Sequence, residues 1–205
     1  MVTRLLEILA GFIIYVISGM GLPGIALLMA IESACIPLPS EVIMPFSGYL
    51  VFNGEYSLLA VSLAGAIGCV VGSIPAYYLG MYGGRPLIEK YGKYILMSNR
   101  DLDLADRWFQ RHGEATVFIA RLLPVVRTFI AFPAGVAKMD MTRFILYTFV
   151  GSFPWCLGLA YIGMKLGANW PTLRTYFHRF DLLIGAVIVA GIVWYVRRHL
   201  KNQAA

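Results

Sequence analysis

The sequence predicts an all-α polytopic membrane protein organised as an inverted repeat. Each repeat is a re-entrant helical hairpin followed by a transmembrane helix, joined by an interfacial amphipathic segment and closed by a C-terminal transmembrane helix. Three observations predict this. Of 205 residues, 59% are hydrophobic and 14% charged, with a mean hydropathy of +0.72, whereas charged residues make up about a quarter of soluble domains. Two apolar stretches are interrupted by proline-broken charged motifs, one running from Glu32 through Pro37, Pro39 and Ser40 to Glu41, the other from Arg121 through Pro124 to Arg127. Short motifs also recur in the same order in the two halves of the chain.

The elements follow in order within one membrane domain, 1–205. Residues 1–18 form an N-terminal helix that breaks at Gly19–Gly24; no small-residue cleavage site closes this run, so it reads as a retained segment rather than a signal peptide. Residues 22–54 form the first hairpin. The stretch between Glu41 and Glu55 holds 13 uncharged positions, too few for the roughly 20 that a straight span needs. Half-length apolar helices meeting at a proline break are tolerated at membrane depth only where protein or water covers the open backbone. Residues 56–84 are long enough to span. Residues 85–113 mix charges of both signs with Leu102, Leu104, Trp108 and Phe109 and read as interfacial helix. Residues 114–138 form the second hairpin, with 10 uncharged positions between Arg127 and Lys138. Residues 144–164 span again. Residues 180–197 form a shorter third span, with Arg197 and Lys201 reaching back to the interface.

The recurring motifs are Pro45-Phe46-Ser47-Gly48, Gly72-Ser73-Ile74-Pro75 and Ala76-Tyr77-Tyr78-Leu79-Gly80 in the first half. Pro133-Ala134-Gly135, Gly151-Ser152-Phe153-Pro154 and Ala160-Tyr161-Ile162-Gly163 answer them in the second. Because a hairpin returns the chain to its entry side and the next span crosses once, the two hairpins enter from opposite faces, a plan common in secondary transporters. Small residues at Gly65, Gly68 and Gly72, and at Gly163 and Gly167, permit close helix contact, read first as packing within the chain and second as a homodimer interface. The four tryptophans, Trp155 among them, read as interface anchors or packing residues.

Net charge is +6, and the chain closes on Arg197, Arg198, His199 and Lys201. Basic residues beside a span mark a cytoplasmic face rather than a nucleic-acid surface; the three cations Lys165, Arg174 and Arg179 then fall outside. Cys35, Cys69 and Cys156 sit in apolar surroundings without paired spacing, and the three histidines are scattered. Neither a disulfide framework, a metal site nor a cofactor is expected.

The four motif charges carry the functional expectation. A charge facing lipid at mid-depth costs roughly 2.5–3.5 kcal/mol, so Glu32, Glu41, Arg121 and Arg127 together would cost on the order of 10 kcal/mol. The motifs are therefore expected to face one another near mid-depth, the carboxylates pairing with the arginines until an anionic substrate replaces them. Pro37 and Pro39 remove two amide donors and unwind the chain before Glu41, and Pro124 does the same between the arginines. A guanidinium fork binds phosphate or carboxylate oxygens bidentately and stays charged when buried. No Ser/His/Asp arrangement, HExxH or paired intramembrane aspartate points to an enzyme.

Glu32 with Pro37-x-Pro39-Ser40-Glu41, Phe118-x-x-Arg121-x-x-Pro124-x-x-Arg127-Thr128-Phe129, Ala134-Gly135-x-x-x-Met139, Phe144 and Gly151-x-x-x-Trp155 resemble the DedA family, part of the wider VTT superfamily. The resemblance covers about residues 20–165. It departs at Ser73, where many members have Asp, and at Thr148, where many have Asn. It implies a bacterial cytoplasmic-membrane protein with two opposed re-entrant hairpins that moves anionic lipid, undecaprenyl phosphate or a phospholipid, with protons as coupling partner. By motif position it puts the functional residues at Glu32, Glu41, Arg121 and Arg127. The alternative is a proton-coupled ion or small-solute transporter, disfavoured because the spans offer only Ser57, Ser62, Ser73, Thr148 and Ser152 as polar lining.

Overall fold

A computed structural model describes residues 2–34, 36, 38–95, 103, 107–109, 111–123 and 126–167. Pro37, Pro124, Cys35, the third span at 180–197 and the terminal basic cluster lie outside the described residues, as does much of the interfacial segment. The chain divides into two units, Ala10–Gly167 and a smaller one of Met1–Leu9 with Ala168–Ala205. Of the smaller unit, residues 2–9 are described and are helical.

The described residues contain helices and no strand. They are α1 (Val2–Met20), α2 (Leu22–Ser33), α3 (Ser40–Phe52), α4 (Leu58–Ile95), α5 (Ala115–Arg121), α6 (Val126–Phe129), α7 (Ala131–Val136) and α8 (Met141–Lys165). α1 runs past the expected end at residue 18 and stops at Gly21, whose φ of 62 breaks the helix. α2 begins with Pro23 in its first turn, where the missing amide costs no hydrogen bond. α3 starts after Pro39, which holds extended backbone. α4 starts at Leu58 because the Ser57 hydroxyl accepts from the Ala60 amide at 3.1 Å. Its helical geometry is interrupted at Gly84, φ 51, so Leu58–Gly84 is the apolar part and the remainder a separate turn of direction. α8 begins three residues before the expected 144 because Asp140 caps it, accepting from the Arg143 amide at 3.0 Å. The second motif divides more finely than expected, into α5, α6 and α7 with a turn at Leu122 and Leu123.

Leu58–Gly84 and α8 are each long and apolar enough to cross a membrane, whereas α2 and α3 are not. Leu59, Ile67, Val71 and Leu79 on α4, and Leu146, Val150 and Ile162 on α8, expose between 45% and 58% of their surface. Apolar stripes of that extent are unfavourable in water and suited to lipid.

Inside the larger unit α4 and α8 pack on each other, α4 also holding α2 and α7, and α8 also holding α3 and α5. Glycines set the distance. A Cβ on Gly48 of α3 would strike the carbonyl oxygen of Ala160, and one on Gly163 of α8 would strike that of Pro45. The α4–α7 contact has the same form: a Cβ on Gly135 would strike the Tyr77 carbonyl, and one on Gly80 that of Phe132. On the other side of α4, Gly68 and Gly72 lie against the backbone of Ala26 and Ala30 in α2. Tyr77 donates to the Met139 carbonyl and its ring meets Phe144 at 4.8 Å, tying the chain after α7 to α4.

Candidate functional site

α2 ends at Ser33, which leaves Glu32 in its last turn with no room to reach solvent. Arg127 lies in α6, beyond the turn that follows α5. Its Nη2 donates to both carboxylate oxygens of Glu32, at 2.8 and 2.7 Å. Both residues are almost wholly buried, Glu32 5% and Arg127 3% exposed. They are 95 positions apart in sequence, and the first and second motifs meet through them. The Trp155 ring of α8 covers the guanidinium, with Cζ 5.0 Å from the ring centroid. A desolvated cation on an indole face gains about 2 kcal/mol.

Arg121, at the end of α5, is 2% exposed and donates from Nη2 to the Ser73 hydroxyl at 2.5 Å. Ser73 in turn donates to the Cys69 carbonyl one turn back in α4, which orients its oxygen toward the arginine. The Arg121 stem passes Gly151 of α8, where an added Cβ would come within 2.7 Å of the Arg121 Cβ. Trp155 follows Gly151 by one helical turn, about 6 Å along the axis, so both arginines lean on one face of α8.

Of the two motif carboxylates, Glu32 is the one held by an arginine. Glu41 is half-buried in the first turn of α3 and makes no ion pair among the described residues, although its charge acts on Glu32. A carboxylate there is stabilised by the amide dipoles of the helix start and can remain hydrated, so it has less need of a cation. Pro39 is the extended residue before α3, while Pro37 and Pro124 fall outside the described residues. A second ion pair, Arg143 to Glu114 at 2.7 Å, is solvent-facing and remote in character from the buried one.

Four residues at the site were not singled out from sequence as part of it. Ser73 appears there as a departure from a family pattern and turns out to hold Arg121. Trp155, read as an anchor or packing residue, stacks on Arg127. Cys69 and Cys156, without paired spacing in sequence, are both buried. These contacts join different helices, Ser73 of α4 to Arg121 of α5 and Trp155 of α8 to Arg127 of α6, so local sequence carried no signal for them beyond the polar lining residue itself. Among the described residues no group of three or more His, Cys, Asp and Glu is arranged to hold a metal.

The VTT domain matches residues 38–165 of the chain. A protein of Bacillus subtilis named undecaprenyl phosphate transporter A is 35% identical over 89% of this chain and 91% of its own length. An uncharacterised membrane protein of the same organism, YkoX, is 40% identical over 84% of this chain and 76% of its own. A protein of Lactococcus lactis named alkaline phosphatase-like is 31% identical over 93% of this chain and 94% of its own. No solved structure matches the chain.

Proposed function

The chain belongs to the VTT-domain (DedA) family of membrane proteins, and on that premise we propose that it is a transporter that moves an anionic lipid across the bacterial cytoplasmic membrane, polyprenyl phosphate before phospholipid. Arg121 and Arg127 hold the phosphate while the hydrocarbon tail stays in the bilayer. Glu32 neutralises Arg127 when the site is empty, and Glu41 waits at the rim.

The observation that carries this reading is the buried Glu32–Arg127 ion pair. Placing such a pair in a dry interior is often no more stable than apolar packing of the same volume, so stability alone gives little reason to retain it. A displaceable counter-ion is what a site for a mobile anion requires. The name of the B. subtilis relative supports a polyprenyl phosphate as that anion.

Coupling to protons follows from the same exchange. When phosphate takes Arg127, Glu32 is left in an apolar surround without its cation and is neutralised by a proton. The proton is released when the arginine returns.

The two helix–break–helix segments, α2–α3 and α5–α7, are read as opposed re-entrant hairpins within a single domain, and the chain as an inverted repeat. The glycine contacts support this. Gly48 on Ala160 with Gly163 on Pro45 is paralleled by Gly135 on Tyr77 with Gly80 on Phe132, and the four glycines are those that close the recurring sequence motifs.

Transporter names among the relatives weigh for translocation over hydrolysis, while the lactococcal name is a contrary hint. Leaflet-resolved transport in proteoliposomes, comparing undecaprenyl phosphate with phosphatidylglycerol and phosphatidylethanolamine, tests the proposal, with released inorganic phosphate measured in the same vesicles. Movement of the polyprenyl phosphate without phosphate release is expected; release at the rate of lipid disappearance would replace transport with hydrolysis.

A further inference from the structure

Two polar side-chain atoms on α8 are buried and have no hydrogen-bond partner among the described residues: the Thr148 hydroxyl and the Trp155 indole nitrogen. Neither is a common condition in a folded interior. Thr148 is 0% exposed, and a hydroxyl within a helix ordinarily satisfies itself on the carbonyl four residues back. Ser47, Ser62 and Ser73 all do so in this chain, but Thr148 does not. Trp155 uses the face of its ring on Arg127 and keeps its N–H unspent.

The two residues are seven positions apart, which puts them on one face of α8 with Gly151 between them. That is the face on which the Arg121 stem rests and which Arg127 covers. Tryptophan side chains on helices lean toward the helix N-terminus, so the indole is carried toward Gly151, whose missing side chain lets the Arg121 stem lie against the same stretch of α8.

We infer that Thr148 and Trp155 are neutral donors of the phosphate site and make it selective for a phosphomonoester headgroup; this rests on the anionic-lipid reading above. A phosphodiester offers two terminal oxygens and one negative charge, which two guanidinium groups satisfy. A monoester offers three terminal oxygens and up to two charges, and one arm of Arg121 is already committed to Ser73. The third oxygen requires donors that add no further positive charge, and the α8 face supplies an N–H and an O–H. Polyprenyl monophosphate and phosphatidic acid share this headgroup chemistry.

The test is binding to the full chain in detergent, with short-chain polyprenyl monophosphate, phosphatidic acid and phosphatidylglycerol as probes. Trp155→Phe keeps a ring on Arg127 and removes the donor; Thr148→Val keeps the shape and removes the hydroxyl. Each is expected to weaken both monoesters about tenfold or more, the usual effect of deleting one donor to a charged acceptor, and phosphatidylglycerol less than about twofold. Unchanged monoester affinity, or equal losses for all three lipids, overturns the inference. Loss of the monoester with tail-dependent differences between polyprenyl phosphate and phosphatidic acid assigns the remaining selectivity to the chain rather than the headgroup and upholds it. Arg127→Ala is the separate control: monoester binding that survives it removes the anionic-lipid reading itself. Should the α8 variants fail to fold, Trp108, Trp170 and Trp194 are replaced by Phe and the emission of Trp155 is followed. A shift with monoester and none with phosphatidylglycerol is expected, and no shift with either overturns the assignment.

Discussion

At the scale of single residues, the distinction between charge and geometry decides what Arg127 does. Its Nη2 donates to both carboxylate oxygens of Glu32 while Cζ lies 5.0 Å from the Trp155 ring centroid; a lysine ammonium, a compact and strongly hydrated point charge, cannot hold both positions at once. Arg127→Lys is expected to reduce proteoliposome transport at least tenfold while the protein still reaches the membrane, and full activity in that variant would leave net positive charge as the sole requirement. Arg127→Ala strands Glu32 in the interior, and thermal unfolding in detergent should record a loss of about 3–5 kcal/mol, the cost of removing one partner from a buried pair. Glu32→Gln removes the carboxylate proposed to take up a proton when Arg127 is engaged. Its transport is expected to become indifferent to an imposed pH gradient, whereas Glu55→Gln, at an exposed position, keeps the wild-type response; an unchanged gradient response in both Glu32→Gln and Glu41→Gln would exclude these carboxylates from coupling. The sequence made the four charges conspicuous because each is expensive where it stands. It did not say which carboxylate meets which arginine, nor that Ser73 holds Arg121, because those choices depend on how α4 faces α5 and α8, not on anything within ten residues of the side chains concerned.

At the scale of elements, the boundaries came from local chemistry and were legible to within a few residues. Gly21 ends α1, Pro39 precedes α3, and Asp140 opens α8. What hydropathy did not reveal was why these helices pack as they do, since in lipid no hydrophobic gradient drives them together and close backbone approach takes over. Two glycines of α8 separate the effects. Gly163→Ala puts a methyl group against the Pro45 carbonyl and is expected to destabilise by about 1–3 kcal/mol, the usual cost of overpacking. Gly158→Ala, with nothing within 4 Å, is expected to be neutral or to stabilise by about 0.5–1 kcal/mol through helix propensity. Urea or thermal titration of the two purified variants checks the pair, and similar effects would deny the packing argument. Tyr77→Phe removes one hydrogen bond to the Met139 carbonyl and should cost about 1 kcal/mol in the same measurement.

At the scale of the whole molecule, an apolar exterior on α4 and α8 encloses a buried ion pair, and on the proposed reading the first meets lipid and the second meets substrate. The order of motifs in the sequence suggests an inverted plan, while its spacings, unequal between halves, leave the register open; on the proposed reading Gly48 corresponds to Gly135 and Gly163 to Gly80. If the halves exchange roles during transport, Gly80→Ala and Gly163→Ala occupy equivalent places and are expected to slow opposite directions of lipid movement, which leaflet-resolved rates measured both inward and outward would reveal; equal slowing in both directions would argue against exchange. One feature bears on how such an exchange is mechanically achieved. Where α3 meets α8 and α4 meets α7, main chain lies on main chain at Gly48, Gly163, Gly80 and Gly135. Interlocked side chains act like gear teeth and must disengage before a helix can shift, whereas a glycine contact is a stretch of smooth rail. A helix travelling a fraction of a turn along such a rail repacks few rotamers, the kind of small sliding that shear motions use. The four glycines thus hold the helices at their closest separation and also keep the track between them clear.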